Sequence, residues 1–115
     1  MLIDPSNLNP RFITLSSLPK RTWEAPNKFV LVQDNKTKSY FIVFIPNLGS
    51  HQNIVAWYKR NVRKDITVCG GGYLLIDQSG NTIKAYGNAY DGKFIKGPVK
   101  EILEQEFPGY SVTIE

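Results

Sequence analysis

The sequence predicts an α+β fold, a single mixed β-sheet of five to six strands with two α-helices packed against it in the order ββαββαβ. Three observations lead there. Runs rich in β-branched and aromatic residues, such as Phe29-Val30-Leu31-Val32 and Tyr40-Phe41-Ile42-Val43-Phe44-Ile45, recur between short polar turns. Two stretches instead repeat apolar residues at helical spacing: Ile54, Val55, Tyr58 and Val62, then Val99, Ile102, Leu103 and Phe107. With 115 residues the chain is one domain, large enough to bury roughly two-thirds of its unfolded surface without a metal or disulfide.

Residues 1–26 contain Pro5, Pro10, Pro19 and Pro26 among several Asn and Ser residues and read as a loosely ordered N-terminal extension, with Arg11–Leu15 its only strand-like piece. Residues 27–115 form the domain. Lys28–Gln33 is a strand, Asp34–Thr37 a turn, and Ser39–Ile45 its hairpin partner, apolar enough to be central and buried on both faces. Pro46–Gly49 reads as a loop and Ser50 as the N-cap of a helix running toward Val62. Asp65–Cys69 is a third strand that Gly70-Gly71-Gly72 interrupts before Tyr73–Ile76 resumes it. Asp77–Asn81 turns the chain into a fourth strand, Thr82–Gly87. The loop Asn88–Gly97 leads to a second helix with Pro98 in its first position and Pro108-Gly109 as its stop, and Tyr110–Ile114 is the last strand.

One cysteine, Cys69, excludes an internal disulfide and reads as a buried strand residue; no Cys/His spacing suits zinc or an iron-sulfur cluster, so no metal or cofactor is expected. The N-terminus lacks the basic and apolar segments of a secretory signal, and no apolar run reaches membrane-spanning length. The chain therefore reads as a soluble cytoplasmic monomer with no membrane partner. Its net charge of +4 owes much to Lys59, Arg60, Arg63 and Lys64 at the end of the first helix, where cations complement the helix dipole. Trp57 and Tyr58 are in phase with the apolar residues rather than with those cations, so a nucleic-acid surface is not expected. Phosphate-loop, nucleophile-elbow and dinucleotide signatures are absent.

What remains is His51, the only histidine, directly after the Ser50 cap. Backbone N–H groups and the positive end of the dipole meet in that first turn, which favours an anion and disfavours positive charge on the ring. A neutral imidazole beside an anion cradle suits phosphoryl chemistry. The alternative is a packed histidine at the end of the Ile54, Val55, Tyr58, Val62 stripe. Two other features stay open in the same way: the triple glycine as a bulge or as a close approach to a ligand, and Lys28 as an edge charge or a phosphate contact.

Val68-Cys69-Gly70-Gly71-Gly72, Ile83-Lys84-Ala85-Tyr86-Gly87 and Phe107-Pro108-Gly109-Tyr110-Ser111-Val112-Thr113 together resemble the C-terminal half of the 14 kDa protein-histidine phosphatases of the janus family. Upstream, Lys28-Phe29-Val30-Leu31-Val32 is similar to that family's first core strand, and His51 falls where the family has its catalytic histidine. The resemblance implies a metal-independent phosphatase that hydrolyses phosphohistidine in a protein or a small phosphoramidate, with His51 as general base or nucleophile. It further implies Lys28 as a contact to substrate phosphate, and Gln52 with Asn88, Ala89 and Tyr90 as the cradle for phosphate oxygens. The chain departs from the family where Tyr73 follows the triple glycine in place of an arginine, and in a shorter loop after Gly87. Those departures motivate the alternative, a phosphate- or phosphopeptide-binding module with weakened turnover. Either reading needs an imidazole reachable from solvent and close to Lys28.

Overall fold

The computed structural model describes residues 11–13, 26–45, 49–89 and 92–115. Its six strands and two helices are β1 (Phe12–Ile13), β2 (Asn27–Asp34), β3 (Tyr40–Phe44), α1 (His51–Asn61), β4 (Ile66–Asp77), β5 (Thr82–Ala89), α2 (Lys96–Glu106) and β6 (Ser111–Ile114). The strands form one sheet in the order β1-β3-β2-β4-β5-β6, parallel at its two outer pairings and antiparallel between. This is the α+β architecture the sequence predicts.

The period-two alternation of the strands decides what each face carries. Val30, Val32, Val43 and Ile45 point to one face and meet Ile54, Val55 and Tyr58 of α1. Phe29, Leu31, Ile42, Phe44, Leu74 and Ile76 point to the other, where Val99, Ile102 and Leu103 of α2 cover them. The two helices thus lie on opposite sides of the sheet. That is why β3 has no polar alternation: its residues are buried on both faces.

Several boundaries differ from expectation, among them the end of β5, which runs to Ala89 instead of stopping at Gly87 and so takes in Asn88 and Ala89 of the expected loop. First, Phe12 and Ile13 pair in parallel with Ile42 and Val43 and are fully buried, so this part of the N-terminal extension is an edge strand of the domain. Phe12 stacks on Phe44 at 5.9 Å and meets Phe107 edge-on at 5.4 Å, while Arg11 forms an ion pair with Glu101 and donates to Gln105. Residues 1–10 and 14–25, and Pro46–Leu48 of the expected loop, lie outside the described residues. Second, α2 starts at Lys96 with Ile95 at its cap, so Pro98 stands third. The first turn has no intrahelical acceptors for its N–H groups, and a proline is tolerated there as well as at the first position. Third, β4 runs unbroken through the triple glycine.

The glycines explain how. Gly70 has φ +97, and a Cβ there would lie 2.5 Å from the Lys93 carbonyl oxygen and 2.6 Å from Phe94 Cα. On Gly72 it would meet the Tyr86 carbonyl oxygen at 2.4 Å and the Phe94 ring. The close approach that these glycines permit is therefore made by the chain itself, as residues 93–94 cross the sheet and seat Phe94 against Phe29 at 5.0 Å. Bulges accompany the crossing. Val30 to Val32 of β2 face Gly71 to Val68 of β4, one residue extra on β4, and Gly71 to Tyr73 face Ala89 to Tyr86, one extra on β5.

Among the described residues no helix is long and apolar enough to cross a membrane. Arg63, expected among the cations that complement the dipole at the end of the first helix, lies past the Val62 C-cap and forms a 3.0 Å ion pair with the buried Asp34, whose Oδ1 also accepts the Lys36 and Thr37 amides at the β2–β3 turn.

Candidate functional site

Local sequence places His51 as expected. Ser50 is in an extended conformation and its Oγ accepts the Asn53 amide at 3.1 Å, so His51 opens α1 as its first residue. The first turn carries no acidic side chain, and with the Asn53 amide taken, those of His51 and Gln52 have no partner among the described residues. Gln52 itself is exposed. An anion at this end would meet the N–H groups of His51 and Gln52 and the dipole.

The ring is held from the sheet. His51 Nε2 lies 2.9 Å from the Gly72 carbonyl oxygen. A carbonyl only accepts, so Nε2 carries the proton and donates it, and in the neutral ring Nδ1 is left as the basic nitrogen. The β4–β5 ladder gives Gly72 no partner at the bulge between Gly71 and Tyr73, and the histidine reaches the carbonyl there. Tyr73 completes the setting, its ring meeting the imidazole edge-on at 5.4 Å and stacking on Tyr86 at 5.7 Å. Gly87, at φ +88, is what leaves room for that tyrosine, since a Cβ would come within 3.0 Å of its ring.

Lys28 joins the same cluster by two routes. It is the register partner of Tyr73 across β2 and β4, and its Nζ donates to the Gly49 carbonyl, one residue before the Ser50 cap. An ammonium is therefore fixed beside the N-terminus of α1. Asn88 follows Gly87 at the β5 bulge and is exposed, and Ala89 is the register partner of Gly71. Tyr90 lies outside the described residues.

One requirement is met only in part. His51 is 7 % exposed, so the ring is mostly covered rather than open to solvent. The packed alternative is right about burial, yet the imidazole makes a directed hydrogen bond and an aromatic edge contact instead of merely extending the aliphatic stripe. A depression of about 540 Å³ lined by Arg11, Tyr40, Pro98 and Glu101 lies on the α2 side, away from this cluster. Among the described residues no group of three or more His, Cys, Asp and Glu could hold a metal.

The Gly72 carbonyl and the Tyr73–Tyr86 pair were not readable in advance as partners of His51. Both depend on a bulge that shifts register, and the only local signal was the glycine at 87 after an aromatic. Compared with known families and curated proteins, the chain matches no family model and no curated protein.

Proposed function

We propose that the chain is a metal-independent phosphoramidate hydrolase acting on phosphohistidine in a protein or on a small phosphoramidate. The observation that carries the reading is the convergence on one helix N-terminus of an imidazole with its Nε2–H committed to a carbonyl, two amides without a partner among the described residues and a fixed ammonium. In this reading the amides of His51 and Gln52 and the Lys28 ammonium hold the phosphoryl oxygens, where developing charge is stabilised without reorganisation. Nδ1 takes a proton from water as its oxygen bonds to phosphorus, the P–N bond breaks with its electron pair going to the leaving nitrogen, and the proton held on Nδ1 passes to that nitrogen, which restores the neutral ring. The same Nδ1 serves if the ring attacks phosphorus directly and water then releases a phospho-His51; alkaline-quench trapping of labelled enzyme, under which a P–N bond survives, separates the two.

The test is release of phosphate from a phosphohistidine peptide by the native chain and by His51→Ala with a native fold. Activity present in the first and absent in the second is expected; equal activity in both removes the assignment. A second reading, a phosphopeptide-binding module without turnover, is favoured by the 7 % exposure of the ring and by Tyr73 standing where a further cation would help hold phosphate. Binding of the peptide with no phosphate release selects it.

A further inference from the structure

Beside His51, the side of the sheet that α1 packs on continues past the helix into the β4–β5 pair. Tyr73 and Tyr86 are directly opposed there in register, their rings 28° from parallel with centroids 5.7 Å apart, and Lys84 Nζ lies 5.5 Å from the Tyr86 ring while also pairing with Glu115 at 3.2 Å. Both tyrosines are half-buried. The packing is deliberate in one respect: Gly87 is at a positive φ and any larger residue would push into the Tyr73 ring. The inner end of this stack touches the imidazole, and its register neighbour on the other side is Lys28.

We infer that Tyr73 and Tyr86 form an aromatic shelf that sets the specificity of the site by accepting a planar ring bonded to the transferred phosphoryl group. The inference rests on the phosphoramidate reading above. A phosphoryl group held at the N-terminus of α1 has its substituent within reach of whatever borders His51, and the border on the sheet side is aromatic. A heteroaromatic N-phosphoryl group gains ring contact there, whereas the flexible butyl chain of an N-phosphorylated lysine has no π face to offer. Lys84 makes a cation–π contact with the Tyr86 ring. One ring-on-ring contact is worth roughly three- to tenfold in affinity.

The experiment compares two peptides of identical sequence, one carrying phosphohistidine and one phospholysine, on the native chain, Tyr86→Leu and Tyr86→Phe. The ratio of kcat/KM for the two is expected to fall roughly three- to tenfold in Tyr86→Leu, mainly through KM, and to be kept in Tyr86→Phe. An unchanged ratio in Tyr86→Leu overturns the shelf, as does equal loss in Tyr86→Phe. If the native chain hydrolyses neither peptide the phosphatase reading fails, and calorimetric binding of the same two peptides gives the same ratio. A preference for phosphohistidine that disappears in Tyr86→Leu then supports the shelf, and equal affinities overturn it.

Discussion

Replacing His51 separates two things the ring does. Its Nε2–H satisfies the Gly72 carbonyl and its edge meets Tyr73, while its Nδ1 is the base in the proposed chemistry. His51→Ala removes all of them. Leaving a buried acceptor without its donor costs roughly 1–3 kcal/mol, and the lost aromatic contact adds about 0.5–1.5 kcal/mol. A loss of ~2–4 kcal/mol is therefore expected, which in a domain of this size lowers Tm by roughly 8–16 °C. His51→Gln differs, because its side-chain amide can still donate to Gly72. It is expected to lose about 1.5 kcal/mol or less, yet to lose activity as fully as His51→Ala, since no basic nitrogen remains and general-base removal costs on the order of 10²–10⁴ in rate. Thermal unfolding monitored by circular dichroism and phosphate release from a phosphohistidine peptide, run on both variants, read the two effects independently. If His51→Gln unfolds as early as His51→Ala, the Gly72 hydrogen bond does not hold the ring; if it keeps native turnover, Nδ1 is not the base.

Lys28→Met should raise KM for phosphoryl substrates more than it changes Tm, because the ammonium is replaced by an apolar chain of similar length that still packs on β4; an unchanged KM refutes its place in the phosphate site. Gly72→Ala should destabilise by roughly 1–3 kcal/mol, since its Cβ would lie 2.4 Å from the Tyr86 carbonyl oxygen and 2.9 Å from the Phe94 ring; urea unfolding with an unshifted midpoint contradicts that crowding. Phe12→Ala should cost about 3–5 kcal/mol through the cavity left between Phe44 and Phe107, and a loss near zero would mean β1 is dispensable. Burial, aided by the Asp34 charge and opposed by Arg63, pushes the Tyr58 hydroxyl up to about 12 from 10.0. The folded state therefore keeps its proton where the unfolded state has lost it, so stability contributed below pH 10 drains away between pH 10 and about 12; Tyr58→Phe should remove that part of the alkaline loss in a pH series of unfolding midpoints.

Elements with local signals were legible. The Ser50 cap, the Asp34 and Asp77 turns and the Pro108-Gly109 stop each act within a few residues, through side-chain acceptors or fixed φ, and each stands where the sequence predicts it. His51 at the head of a helix followed from the cap alone. What was not legible depends on contacts distant in sequence. Arg11–Leu15 reads as strand-like in the sequence, but that Phe12–Ile13 is buried and belongs to the sheet follows only from β3 lying beside it and Phe107 covering it. The start of α2 at Lys96 has no sequence marker, because Ile95 makes no side-chain cap and Lys96 and Gly97 carry no start signal, leaving only proline two residues further on. The partners of His51 required knowing the register, and two bulges set the register where glycine alone hints at them.

Those bulges also link the fold to the proposed chemistry. The glycines of β4 are demanded by packing, because Phe94 and the backbone of Lys93 pass too close for any Cβ. A consequence of accommodating that crossing is a shift of register between β4 and β5 at Gly72, beside the carbonyl that His51 meets. A buried carbonyl needs a donor, and His51 of α1 supplies one from the opposite side of the sheet from α2. The hydrogen bond that selects the tautomer of His51 is thus a by-product of seating α2 and its preceding loop on the far face. It follows that changes at Phe94 should alter the His51 environment through Gly72 without touching either Lys28 or the helix cap, and a shift in the imidazole ¹⁵N resonances of a Phe94→Leu variant would trace that connection through the sheet.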